Sequence, residues 1–267
     1  MSFSLISLSS SSSGNATYVQ AGKSKILVDA GLSGKKLTCL LHEVGASAHE
    51  LDAILVTHEH VDHVRGAAVL SNRFGIPVYA TGGTFKGMEQ GKRSIAQNRR
   101  IEIEPDVGFI IGDCMIDPLP IPHDANQPVA FRLSYRGASV AVVTDLGHCS
   151  NKLLEKLAGV DVLLLESNYN PQLLLDNPRY PSVLKRRIQG RKGHLSNENC
   201  ANALYELQRL GTKYALLGHL SKENNRPELA IEEVSRALCN KGVRLSERLH
   251  LDLCHPDRPS ARYALDV

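Results

Sequence analysis

The sequence predicts an α/β protein with two β-sheets packed face to face and helices outside them, a four-layer αββα sandwich. Three observations predict it. Strand-like and helix-like patterns alternate at both ends of the chain, with a β-rich stretch over residues 95–143 between them. Short apolar runs end again and again in His, Asp or Gly, as buried strands of open sheets do. No Pro/Ser/Gly-rich break is long enough to be a linker, and no fixed-period repeat occurs, so 1–267 is expected to be a single domain.

The elements follow in order. Ser9 to Ser13 resembles a low-complexity linker, but it ends in Gly14-Asn15 and lies between the apolar runs Phe3–Leu8 and Thr17–Val19, so it reads as a turn between paired strands. Lys25–Gly31 is a buried strand stopped by glycine. Residues 33–45 have helical spacing, with Leu37, Leu40, Leu41 and Val44 on one face. Ala53–Val56 is a strand, Val64–Phe74 a helix closed by Gly75, and Pro77–Ala80 a strand. The β-rich centre offers Ile101–Ile103, Phe109–Ile111, Met115–Ile121, Val129–Tyr135 and Ser139–Val143. Then come strand Val160–Leu165, helix Asn197–Leu210, strand Tyr214–Leu217, helix Pro227–Cys239 and a closing strand Leu249–Leu253.

Apolar residues make up 42% of the chain, enough for a sizeable core, and charged residues 22%, which excludes a disordered or fibrous class. A net charge of +3 is too small to argue for nucleic acid by itself. The six cysteines form no CxxC pair and read as reduced thiols. No basic n-region followed by an apolar h-region opens the sequence, so no signal peptide is expected, and the longest apolar runs fall far short of the ~20 residues a membrane span needs. A soluble, cytoplasmic protein is expected.

The strongest chemical signal is Thr57-His58-Glu59-His60-Val61-Asp62-His63. Three imidazoles and a carboxylate follow a buried strand within six residues, and such a cluster is unfavourable without a cation. His58 and His60 can point to one side of the loop, with Thr57 orienting it. Asp62 and His63 then start a helix and reach a second metal. Further ligand types sit past other apolar strands: His123 after Ile121-Pro122, Asp145 after Val142-Val143-Thr144, and His219 after Leu216-Leu217-Gly218. Each alone reads as a surface turn residue; four such places together point to a metal centre. The set suits Zn²⁺, and also Mn²⁺ or Fe²⁺.

This pattern resembles the metallo-β-lactamase superfamily, and within it the YycJ/WalJ-type exonuclease family. The resemblance spans nearly the whole chain. It rests on the HxHxDH run, the Leu27-Val28-Asp29-Ala30-Gly31 stretch, Ser-Ser-Gly-Asn at 12–15, Thr-Asp-Leu-Gly at 144–147, Leu-Glu-Ser-Asn at 165–168, and two Gly-His-Leu-Ser runs at 193–196 and 218–221. It implies the metallo-β-lactamase fold and two divalent ions. One ion would be held by His58, His60 and His123, the other by Asp62, His63 and His219, with Asp145 bridging. His194, by likeness to the ribonuclease Z group, would act as general acid or phosphate stabiliser. The plainer reading of His194 is a helix-start residue before the N-cap Ser196. Asp29, Glu59, Asp124 and Glu166 are candidates to orient imidazoles; a fold-stabilising hydrogen bond is the equal alternative for each. Cys149, close to Asp145, reads as a packed thiol.

The fold does not decide the reaction. Asp145 argues against a true β-lactamase, where the resemblance leads one to expect Cys. No C-terminal helical region of the glyoxalase II type is evident. Lys185, Arg186, Arg187, Arg191 and Lys192 lead directly to His194 and would clamp phosphates; a solvated helix face is the competing reading. Lys86, Lys92, Arg93, Arg99 and Arg100 offer a second basic patch, and Tyr169 and Tyr180 either stack on bases or pack. The resemblance implies a 5′ to 3′ DNA exonuclease with a role in genome maintenance. The β-CASP insertion is absent, since only 48 residues separate Asp145 from His194. No long Gly/Pro-rich arm for gripping tRNA is evident either. The alternative is a small-molecule hydrolase, either a cyclic phosphodiesterase or a thioesterase. A metal-free binding module does not suit so complete a ligand set. Protein partners are not legible.

Overall fold

The computed structural model describes residues 2–267, and the chain divides into two compact units, Met1–Pro120 with Ala125–Ala138 and His255–Val267, and Ile121–Asp124 with Ser139–Cys254. The first unit opens with strands β1 (Ser2–Ser9), β2 (Ala16–Ala21) and β3 (Ser24–Val28), then helix α1 (Gly34–Glu43) and strand β4 (Ala53–Leu55). Helices α2 (Val61–Val64) and α3 (Ala67–Phe74), strand β5 (Val78–Thr81), helix α4 (Gly82–Gln90) and strand β6 (Arg100–Ile103) follow. An antiparallel meander completes this part: β7 (Phe109–Ile111), β8 (Cys114–Pro120) and β9 (Val129–Tyr135).

The second unit holds β10 (Ala138–Val143) from Ser139 onward, α5 (Asn151–Leu157), β11 (Val162–Glu166), α6 (Pro171–Asp176), α7 (Ser182–Gln189), α8 (Asn197–Arg209), β12 (Tyr214–Gly218), α9 (Pro227–Asn240) and β13 (His250–Leu253). The chain then returns to the first unit as β14 (Tyr263–Asp266).

The first unit's main sheet has the order β14-β1-β2-β3-β4-β5-β6. Its first three pairings are antiparallel and its last three parallel. In the second unit β10, β11, β12 and β13 run parallel in that order. Parallel strands are covered on both faces and read as continuous apolar runs, as β11 does with every residue buried. Parallel neighbours also align their carboxyl ends, which gathers the residues that follow each strand. Among the described residues no helix is long and apolar enough to cross a membrane.

The serine run is a turn between paired strands, as expected: β1 and β2 pair antiparallel across it, and Ser9, Ser10 and Ser11 are buried. On α1, Leu37, Leu40 and Leu41 are buried and Val44 packs beside them, with Ser33 capping the N-terminus. The helix expected over Val64–Phe74 is two helices. The amide of Gly66 donates to the Ala30 carbonyl (2.8 Å) instead of a helical carbonyl, which breaks the helix after α2. Leu249–Leu253 does not close the chain, because β14 follows it and pairs with β1.

Candidate metal centre

The ligand-type side chains form one cluster in each unit. In the first, β4 ends at Leu55 and the chain stays buried through Val56, Thr57 and His58. His60 takes an extended conformation just before α2, so α2 starts inside the motif and carries Asp62 and His63. The His58 ring lies 4.6 Å from that of His60 and 4.1 Å from that of His63, centroid to centroid.

Asp29, just past β3, holds this cluster. It is buried and has a left-handed backbone (φ 61°), which costs a non-glycine residue roughly 1–2 kcal/mol. Its carboxylate accepts from Thr57 N (2.9 Å) and Thr57 Oγ1 (3.0 Å) and lies 2.8 Å from His63 Nδ1. That contact commits Nδ1 of His63 as a donor and leaves Nε2 as the nitrogen whose lone pair can accept. Thr57 spends its one proton on Asp29, so at 3.0 Å from His58 Nδ1 its hydroxyl accepts, and His58 too presents Nε2. Gly31 lets the chain close on the motif: a Cβ there would lie 1.6 Å from the Asp62 carbonyl oxygen. Glu59 does not orient an imidazole; its carboxylate accepts from Asn126 N (2.9 Å), a loop contact.

Asn15 is a residue to which the sequence alone assigns no role. Its backbone brackets Asp62, donating to the Asp62 carbonyl (2.8 Å) and accepting from Gly31 N (2.8 Å). Its Oδ1 accepts from Ser11 N, so its Nδ2 faces Ser11 O (3.0 Å), Asp62 Oδ2 (3.4 Å) and His63 Nε2 (3.1 Å). The signal was its place at the close of the serine turn.

In the second unit Asp145 follows β10, Glu166 ends β11 and His219 follows β12. Asp145 (φ 58°) and His219 (φ 53°) are also left-handed. Asp145 Oδ1 lies 3.2 Å from His219 Nε2, 3.6 Å from His123 Nε2 and 3.6 Å from His194 Nδ1. His123 Nδ1 contacts the Gly193 carbonyl (3.2 Å), which again leaves Nε2 as the nitrogen with the lone pair. Glu166, wholly buried, accepts from Leu146 N (3.0 Å) and Leu195 N (3.2 Å) and meets His194 Nδ1 at 2.7 Å. It orients an imidazole, and that of His194. Burial of His194 pulls its pKa down, but the charge and hydrogen bond of Glu166, with Asp145 and Asp124 adding, carry it up to about 9. Gly147 lets the Asp145 turn pack against the chain before His194, since a Cβ there would lie 2.3 Å from the Arg191 backbone.

The basic run divides. Arg187 pairs with Asp124, whose other oxygen lies 3.3 Å from His123 Nε2; Lys185 donates to the Leu175 carbonyl; and Arg191 contacts His148 (3.3 Å). Arg186 and Lys192 are exposed. The run is mostly the helix α7, none of whose residues is buried. The second basic patch is weaker than its composition, because Arg99 binds the Ser71 carbonyl and Arg100 binds Glu89 and the Ile95 carbonyl. Tyr169 is buried and packs, while Tyr180 is half-buried. Cys149, expected to be a packed thiol, is half-buried, and burial pushes its pKa up to about 12.

The donor chemistry fits divalent cations. The imidazoles of His58, His63 and His123 each commit Nδ1 to a neighbour, so Nε2 is the unprotonated nitrogen, and carboxylate oxygens lie beside them. Ligand atoms of Asp145, Glu166, His194 and His219 lie within 4.8 Å of one another. Oriented imidazoles and carboxylates at the ends of parallel strands are the equipment of a metal-dependent hydrolase.

The chain's relatives agree. Residues 24–220 match the family model described as the beta-lactamase superfamily domain. The chain is 40% identical over 244 residues to exodeoxyribonuclease WalJ of Streptococcus pneumoniae, covering 88% of this chain and 90% of that protein. It is 34% identical over 253 residues to exodeoxyribonuclease YycJ of Bacillus anthracis, covering 95% and 96%. Among solved structures, the metallo-beta-lactamase fold protein YhfI from Bacillus subtilis matches with a TM-score of 0.74 at 17% identity, covering 99% of this chain and all (100%) of that chain. This chain therefore belongs to the metallo-β-lactamase superfamily, in the family of the WalJ and YycJ proteins, and has the αββα metallo-β-lactamase fold.

Proposed function

We propose that this protein is a binuclear phosphodiester hydrolase that degrades DNA exonucleolytically, 5′ to 3′, in genome maintenance. The observation that carries this reading is its 40% and 34% identity to two exodeoxyribonucleases along almost their whole lengths. In it His58, His60 and His123 hold one divalent ion, Asp62, His63 and His219 hold the other, and Asp145 serves both. Zn²⁺ and Mn²⁺ suit these donors, and Fe²⁺ is compatible with them. When bound, such ions supply Lewis acidity toward a phosphoryl oxygen and lower the pKa of a water nucleophile.

The protein's own residues do the rest. Asp29, Thr57 and the Gly193 carbonyl fix which nitrogen each imidazole presents. Glu166 keeps a proton on Nδ1 of His194, so the ring is stationed to pass a proton from Nε2 to the departing alkoxide. The cations Lys185, Arg186, Arg187, Arg191 and Lys192 lie along or just after α7 and neutralise backbone phosphates of the incoming strand. Action in the cytoplasm is part of the reading, and none of the six cysteines is in a disulfide.

The test is metal-dependent shortening of end-labelled linear duplex DNA, run in parallel with bis-p-nitrophenyl phosphate, with a His58→Ala/Asp62→Ala double variant as control. Shortening lost in the variant supports the reading, and comparing 5′-phosphate with 5′-hydroxyl ends sets polarity. Cleavage of the small ester with intact DNA overturns the nuclease assignment in favour of a small phosphodiester substrate.

A further inference from the structure

In the second unit a chain of amides runs from the side of α9 to the turn that bears His219. Glu233, on α9, accepts from Asn197 Nδ2 (2.7 Å) and from Asn170 Nδ2 (2.7 Å). A carboxylate can only accept, so it dictates which way the Asn197 amide faces. Asn197 Oδ1 must then point away from Glu233, where it accepts from Ser167 Oγ (2.7 Å) and Asn225 Nδ2 (2.8 Å). The Asn225 amide also donates to the carbonyls of Ser167 (2.9 Å) and Asn168 (3.1 Å). Asn168 is the last link: its Nδ2 donates to the His219 carbonyl (2.8 Å), and its own carbonyl accepts from Ser221 N (2.9 Å). It thus grips both sides of the left-handed turn at His219.

Ser167, Asn168, Asn197 and Asn225 are all buried, where an amide facing the wrong way would leave donors opposed to donors. The same links tie the three segments that carry Glu166, His194 and His219, since Asn168 N also donates to Leu195 O (2.9 Å) and Ser167 N to Gly218 O (2.9 Å).

We propose that Glu233, Asn197, Asn225 and Asn168 form a positioning relay that sets the His219 turn for metal binding. The inference rests on the reading of His219 as a ligand. Glu233 is the residue that gives the relay its polarity, although it belongs to a helix that supplies no ligand in that reading. Asn170 shares Glu233 but caps α6, donated to by Leu173 N (2.8 Å), and lies off the path to His219.

Isothermal titration of the metal-free protein with Zn²⁺ tests this, using wild type, His219→Ala, Asn168→Ala, Glu233→Gln and Asn170→Ala. His219→Ala should remove one binding event. Asn168→Ala should weaken that same event about 10-fold, Glu233→Gln should weaken it less, and Asn170→Ala should leave it at the wild-type value. If Asn168→Ala and Glu233→Gln bind like wild type while His219→Ala loses the event, the relay is overturned. It is also overturned if Asn170→Ala weakens binding as much as Asn168→Ala, since the network would then be merely structural. If His219→Ala keeps every event, the ligand assignment itself fails, and the relay with it. Glu233→Gln matches the native shape at a half-buried position and decides the matter alone should Asn168→Ala not fold.

Discussion

Glu166 and His194 show how one buried carboxylate sets the state of a neighbour. In the metal-free protein an NMR titration of the His194 ring should give a pKa of about 9 against an ordinary 6.5, and Glu166→Gln should lower it. A raised histidine pKa stabilises the fold fully below about 6.5 and loses that contribution as pH rises through about 9. Melting temperature should therefore fall across that window in the metal-free wild type and fall less in Glu166→Gln. Replacing His194 by Ala should cut kcat by about 10²–10⁴ while Zn²⁺ still binds; loss of metal binding would make His194 a ligand instead. The ligand-type residues were legible because His58, His60, Asp62 and His63 crowd six positions after an apolar run. Asn15 and Asn168 were not, because an asparagine in a polar turn has many ordinary reasons to be there, and only coordinates show which atoms its amide meets.

Among the elements, the cysteines divide by exposure. Cys39 on α1 and Cys239 on α9 are exposed, whereas Cys114 on β8 and Cys200 on α8 are buried. Burial pushes the Cys114 thiol up to about 12 and raises that of Cys200 as well. A thiol reagent at pH 8 should modify Cys39 and Cys239 quickly and the buried Cys114, Cys200 and Cys254 only on unfolding, as peptide mapping would show. Helix α7 has no buried residue, so changing its cations should cost little stability. Arg186→Ala/Lys192→Ala should flatten the salt dependence of DNA affinity by about 0.9 in log–log slope for each phosphate no longer neutralised; an unchanged slope would return the run to the role of a solvated face. Strands were legible where apolar runs are continuous, as in β11 and β12. Helix α4 was not, since Gly82, Gly83 and Gly87 weaken its propensity, and neither were α5 and α6, which at seven and six residues are too short to show a helical period. The divided helix at Gly66 escaped because a hydrogen bond to Ala30, distant in sequence, decides it.

For the whole molecule we propose one cooperative domain, although the chain forms two compact units. It leaves the first unit after Pro120, returns at Ala125, leaves again after Ala138 and returns at His255. Neither unit is a continuous piece of sequence, so thermal unfolding should show one transition by calorimetry; two resolved transitions would refute this. Chelation should abolish hydrolysis and lower the melting temperature, and added Zn²⁺ or Mn²⁺ should restore both.

The pairing of β14 with β1 matters during synthesis. Phe3 faces Leu265 and Leu5 faces Tyr263, so β1 waits for a partner strand made far later in the chain. At ribosomal speeds that wait is on the order of tens of seconds. Throughout it the outer edge of β1 exposes backbone donors and acceptors that any extended neighbour can occupy. The growing chain is thus open to misassembly along this edge of β1 until β14 arrives to cover it.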